Sequence, residues 1–142
     1  METEQARTTQ LIYREEPDLT AEAFVDVLER SGLAARRPVD DLERIRRMLA
    51  HADLILCARA GERLIGVART ISDFAYCAYL SDLAVDRAYQ RQGIGKELIR
   101  RSHEILGEEV MLLLLSAPAA HAYYPHIGFA KADNAWFLPR QR

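Results

Sequence analysis

The stretch from Leu83 to Leu98 reads Leu-Ala-Val-Asp-Arg-Ala-Tyr-Gln-Arg-Gln-Gly-Ile-Gly-Lys-Glu-Leu, and it constrains the fold more than any other part of the chain. An apolar strand runs into a loop rich in backbone donors, and that loop opens a helix. The first turn of a helix carries unpaired N–H groups and the positive end of the dipole. Gly93 and Gly95 let an anion approach the backbone with no Cβ in the way. Arg91 and Lys96 add fixed positive charge. The layout suits a pyrophosphate and predicts a domain that binds a nucleotide cofactor.

The rest of the chain supplies a scaffold for such a loop. Thr9–Arg14 reads as a short strand. Asp18 and Thr20 offer cap oxygens to a helix through Phe24, Val25 and Leu28, which Gly32 stops. Asp40 and Glu43 resemble a capping box for a second helix with Leu42, Ile45 and Leu49 on its buried stripe. Leu54–Ala58 and Leu64–Thr70 form a hairpin around Gly61, and Tyr76–Val85 extends the meander. The helix after the glycine loop runs to Leu106, with Ile94, Leu98, Ile99, Ile105 and Leu106 inward, and ends at Gly107. Val110–Leu115 is a continuous apolar run, the mark of a strand covered on both faces. Ala117–Tyr124 suits a short helix. Gly128–Lys131 and Ala135–Leu138 read as a closing hairpin turning at Asp133-Asn134. The order predicts one α/β domain over residues 1–142, a mixed and mostly antiparallel sheet with helices on both faces.

Composition narrows the partners. A chain of 142 residues, 49% hydrophobic and 28% charged, is an ordinary globular sequence. A net charge of −2 argues against nucleic acid as the main partner. No apolar run spans a bilayer, and the first residues lack the pattern of a signal peptide. Cys57 and Cys77 both sit in apolar stretches and read as buried free thiols in a reducing cytoplasm. His121 and His126 lack the spacing of metal ligands on one helix face, so no metal is expected.

Three nucleotide motifs compete for the loop. A Walker loop fails, because Glu97 follows Gly95-Lys96 and the upstream glycine is missing. A Rossmann fingerprint is weak, because Leu98 stands where its third glycine would pack and an antiparallel meander comes first. The pattern Gln/Arg-x-x-Gly-x-Gly/Ala is satisfied in full by Gln90-Arg91-Gln92-Gly93-Ile94-Gly95. At Leu83–Gly95 the chain resembles the GNAT superfamily of acyl-CoA-dependent N-acetyltransferases. A second family pattern is an apolar strand, a short helix ending in aromatic-Tyr, three residues, then Gly-Phe. It matches Val110–Phe129, which closes in Tyr123-Tyr124-Pro125-His126-Ile127-Gly128-Phe129.

The resemblance implies a V-shaped split between two central parallel strands, here those ending at Val85 and Leu115, in which the pantetheine arm of acetyl-CoA lies. Main-chain groups of Leu83 and Val85 would pair with the arm. An N–H near Leu83 or Ala84 would polarise the thioester carbonyl. The loop Gln90–Lys96 would hold the pyrophosphate on the N–H groups of Arg91, Gln92, Gly93, Gly95 and Lys96, with Ile94 between them. Many family members carry Asn where Ala117 stands, so Ser116 or main chain would take over that contact. Tyr124 matches the tyrosine that serves the leaving sulfur, and its other reading is core packing. Asp82 is the candidate general base, or else a carboxylate that binds a cationic substrate or an arginine.

The implied reaction is direct attack of an amine on the thioester in a ternary complex. The alternative is a silent acyl-CoA-binding module. Tyr13, Phe24, Phe74, Tyr76, Tyr79 and Trp136 are candidate walls for the acceptor, and Asp73, Asp82 and Asp133 candidate anchors for its ammonium. A small amine fits the compact length best, and a homodimer through the final strands is expected from relatives.

Overall fold

The computed structural model describes residues 10–142, so Thr9 of the first expected strand lies outside the described residues. Five strands form one sheet in the order β1-β2-β3-β4-β5, with β1 at Leu11–Glu15, β2 at Leu54–Ala60, β3 at Arg63–Ser72, β4 at Cys77–Val85 and β5 at Met111–Leu114. The first three pairings are antiparallel and β4–β5 is parallel. No described helix is long and apolar enough to cross a membrane.

Two helices cover one face. In α1 (Ala21–Ser31) the Thr20 hydroxyl accepts the Ala23 N–H at 3.1 Å, and Gly32, at φ +92°, closes the helix in the left-handed region. Helix α2 (Leu42–Ala50) is capped by Asp41, whose carboxylate accepts the Arg44 N–H, and not by the expected Asp40–Glu43 box. Asp41 is the residue three positions before a free amide, and Glu43 is drawn instead into an ion pair with Arg46. Phe24, Val27, Leu28 and Ile45 are fully buried there against Cys57 and Val67.

Helix α3 (Ile94–Leu106) covers the other face, with Ile94, Leu98 and Ile99 on Leu56, Ile65, Ala68 and Leu80. The helix lies so close to β3 that a Cβ on Gly66 would stand 3.1 Å from Leu98 Cδ1. Ile105 is 41% exposed, against expectation, because Ser102 continues the Ile94–Leu98 row at helical spacing and is buried in its place.

The chain beyond α3 departs from the sequence reading. β5 is an edge strand, and only Leu112 and Leu114 find partners beneath it. Met111 and Leu113 face outward at 61% and 37% exposure, so the run is not covered on both faces. The expected helix over Ala117–Tyr124 breaks into a 3₁₀ turn at Pro118–Ala120 and the single turn α4 at Tyr123–His126. A turn does form at Asp133-Asn134, but residues 128–142 make no strands. No ladder partner satisfies their backbone, and the segment ends with the Arg142 carbonyl accepting from the Arg44 guanidinium at 3.0 Å.

Candidate active site

The site begins where β4 and β5 part. Their pairing covers Cys77–Leu80 and Met111–Leu114, and β4 then continues to Val85 with no β5 residue beside it. The split lies where the resemblance requires it. The Asp86 N–H donates to the Ile65 carbonyl of β3 at 2.8 Å. Strand alternation therefore turns the main-chain groups of Leu83 and Val85 to the open side. The Val85 carbonyl is already held there by the Gln90 side-chain amide at 2.9 Å. Leu83 and Val85 send their side chains toward α3, whereas Ala84 packs into the α1–α2 core.

The open edge leads into the glycine loop. Burial pushes the Asp86 carboxyl up, but its bonds from the Ala88 N–H and Arg30, with Arg63 nearby, hold it below the ordinary value. Asp86 thereby caps the 3₁₀ turn Arg87–Tyr89. Arg91 and Gly93 follow with φ of +65° and +81°, and this alternation points successive N–H groups into one concavity. Helix α3 then starts with no side-chain cap, its Glu97 N–H bonding the Gly93 carbonyl at 3.0 Å. The N–H groups of Ile94, Gly95 and Lys96 precede that bond and have no acceptor within the helix. Ile94 contributes only this N–H, since its side chain is buried, while Arg91, Gln92 and Lys96 are exposed. An uncapped helix of this length beside two exposed cations fits a diphosphate.

Two tyrosines stand across the split. The Tyr124 ring packs edge-on between Tyr123 and Phe129, with centroids 5.2 and 5.5 Å away. Burial chiefly, and Tyr123 after it, raise its phenol above 10.0. The Tyr123 hydroxyl reaches the loop, 3.4 Å from where a Cβ on Gly95 would be. Sequence reasoning missed Tyr123, because the family pattern asks only for an aromatic there. Ser116 lies just past β5, its hydroxyl 3.5 Å from His121 Nδ1.

Asp82 stands apart from these groups. It is fully buried, and its two carboxylate oxygens accept from Arg37 and Arg69. Of the two readings offered for it, the geometry matches the arginine-binding carboxylate. An arginine inside the apolar run Leu64–Thr70 was the available signal, since a buried guanidinium needs a carboxylate.

The acceptor candidates scatter. Phe24 is core, and Tyr13 lies under Arg101 on the far strand β1, 4.5 Å from the guanidinium carbon. The Asp73 carboxylate binds the N–H groups of Ala75, Tyr76 and Cys77 within its own turn, which lowers its pKa. Trp136 and Asp133 belong to the irregular C-terminal segment. Phe74, Tyr76 and Tyr79 remain at the β3–β4 end. Among the described residues no three His, Cys, Asp or Glu side chains converge on a metal position.

The acetyltransferase (GNAT) family pattern matches residues 18–129. The chain belongs to this family. A histone acetyltransferase of Glycine max is 39% identical over 70 residues, 48% of this chain and 30% of the relative, so the match spans under a third of that protein. A Deinococcus radiodurans structure is 26% identical with a TM-score of 0.72, covering 92% of this chain and 88% of that one. An aminoglycoside N-acetyltransferase in complex with CoA shares the fold at 18% identity and a TM-score of 0.69, covering 94% and 96%.

Proposed function

We propose that the protein transfers an acetyl group from acetyl-CoA to a primary amine of a small molecule. The observation that carries the reading is the continuity of the open β4 edge with the uncapped start of α3. That edge offers Leu83 and Val85 main-chain groups to an amide-bearing arm, and the helix start offers N–H groups to its diphosphate. Gln90 must release the Val85 carbonyl for the arm to use it. Of the Leu83–Ala84 pair, the Leu83 N–H is the one on the open edge, and it polarises the thioester carbonyl.

A neutral amine attacks the thioester carbon, the C–S bond breaks, and the sulfur leaves toward Tyr124. Its phenol, held above 10.0 by burial, keeps its proton against a thiolate of ordinary pKa about 8.5. Tyr124 therefore serves as a hydrogen-bond donor to the sulfur more than as an acid. Asp82, committed to two guanidiniums, is not the base in this reading. The amine proton passes to water or to the acceptor-side surface.

The Glycine max relative is a histone acetyltransferase, and one structural neighbour is an aminoglycoside N-acetyltransferase. Free Cys57 and Cys77 suit a reducing cytoplasm.

The test is acetyl-CoA-dependent CoA release across amines, amino acids and short peptides, alongside calorimetry with acetyl-CoA. Binding with turnover is the expected result. Binding without turnover supports the silent module instead, and absence of binding overturns the reading of the loop.

A further inference from the structure

Two guanidiniums meet one carboxylate beneath a bulge in β4. Arg69 faces Asp82 and Thr70 faces Leu80, so Ser81 is an inserted residue with no partner on β3. Arg37 donates from Nε to Asp82 and from Nη2 to the Ser81 carbonyl at 2.7 Å. Arg69 donates from Nε to the other Asp82 oxygen and from Nη2 to the Ser81 hydroxyl at 2.9 Å. The two side chains thus grip the inserted residue and its successor from two sides.

The bulge has consequences along the strand. Leu80 points toward α3, and plain alternation would send Asp82 after it. The insertion reverses the parity, so Ala84 packs on the α1–α2 core and Leu83 and Val85 turn to α3. The same insertion brings the main-chain groups of Leu83 and Val85 to the open edge. A buried charge trio is costly to desolvate, and apolar side chains would fill the space more favourably. Apolar side chains would not hold a carbonyl and a hydroxyl of one bulged residue.

Arg37 follows the 3₁₀ turn Leu33–Arg36, so the clamp also ties the segment after α1 to β4. A second tie joins Arg30 of α1 to Asp86 and to the Leu64 carbonyl. Arg87 closes between them over Gly32, where a Cβ would meet its guanidinium at 2.6 Å.

We infer that Arg37, Asp82 and Arg69 form a clamp that sets the β4 bulge, and that Arg37 is thereby a positioning residue for acetyl transfer on the open edge. The inference rests on the proposed function above. Asp82 is left intact in the test, since removing a carboxylate from between two guanidiniums threatens the fold. Arg37→Ala and Arg37→Lys are compared with the unaltered protein by amide exchange, acetyl-CoA calorimetry and CoA-release kinetics.

In Arg37→Ala the Asp82 and Ala84 amides, which face β3, exchange about 10-fold faster while those of β2 stay within about threefold. Acetyl-CoA affinity holds within about threefold and kcat falls about 10-fold or more. Arg37→Lys, able to meet Asp82 but not the Ser81 carbonyl as well, falls between. Unchanged local exchange overturns the clamp, and uniform acceleration across the sheet reduces Arg37 to a structural tie. Faster local exchange with unchanged kcat overturns the positioning role. Failure of the unaltered protein to bind acetyl-CoA overturns the function reading and the positioning role with it, and the exchange data still report on the clamp.

Discussion

Tyr124 and the two cysteines show how burial sets the chemistry of single side chains. With its proton held by burial, the Tyr124 phenol would act in the proposed reaction by a hydrogen bond that grows as charge builds on sulfur. Tyr124→Phe is expected to lower turnover by about 100-fold, the usual cost of one such donor, with acetyl-CoA affinity unchanged by calorimetry. Unchanged turnover removes Tyr124 from the mechanism. Both cysteines read as buried in the sequence, because apolar neighbours surround each. The structure buries Cys57 and pushes its thiol up to about 12 by desolvation, whereas Cys77 is exposed at the start of β4. A disulfide reagent at pH 8 should titrate Cys77 alone in the native protein and reach Cys57 only after denaturation. Rapid modification of both in the native state contradicts the packing of β2.

The elements were legible where local chemistry dictates them. Thr20 and Gly32 bound α1, Gly107 ends α3, and apolar runs mark β2, β3 and β4. How closely they pack was not legible. Gly66 sits mid-strand with nothing local to explain it, and its role emerges only when Leu98 of α3 lies on it. Gly66→Ala should lower stability by about 1–3 kcal/mol through overpacking and weaken acetyl-CoA binding by shifting the helix start. A melting curve and calorimetry check this. Glu16, just past β1, is held to β2 by Arg59 through two bonds of 2.7 Å. That bond, more than the opposing burial, lowers the Glu16 pKa. The folded value lies below the unfolded one, so the pair stabilises above about pH 4 and its contribution fades as pH falls through the folded pKa. Glu16→Gln should cost about 1 kcal/mol at pH 7, and its melting temperature should converge with the parent's as pH falls below the folded pKa of Glu16.

The whole molecule leaves one surface unresolved by its own packing. Trp136, Phe137 and Leu138 are 94%, 74% and 96% exposed, and β5 presents an unpaired outer edge among the described residues. Consecutive exposed apolar residues favour self-association. Sedimentation should show a dimer that Trp136→Ser with Phe137→Ser converts to monomer, and a monomeric parent would remove the expectation. The sequence alone carried the loop Gln90–Lys96, the tyrosine motif and the element order through β5, because caps, glycines and apolar periodicity act within a few residues of each other. Tertiary packing alone revealed that Asp82 is gripped by Arg37 and Arg69, that Ser81 is inserted opposite β3, and that the C-terminal apolar segment finds no strand to join. Those features arise between residues far apart in the chain, where register, burial and charge partners exist only once the sheet has formed.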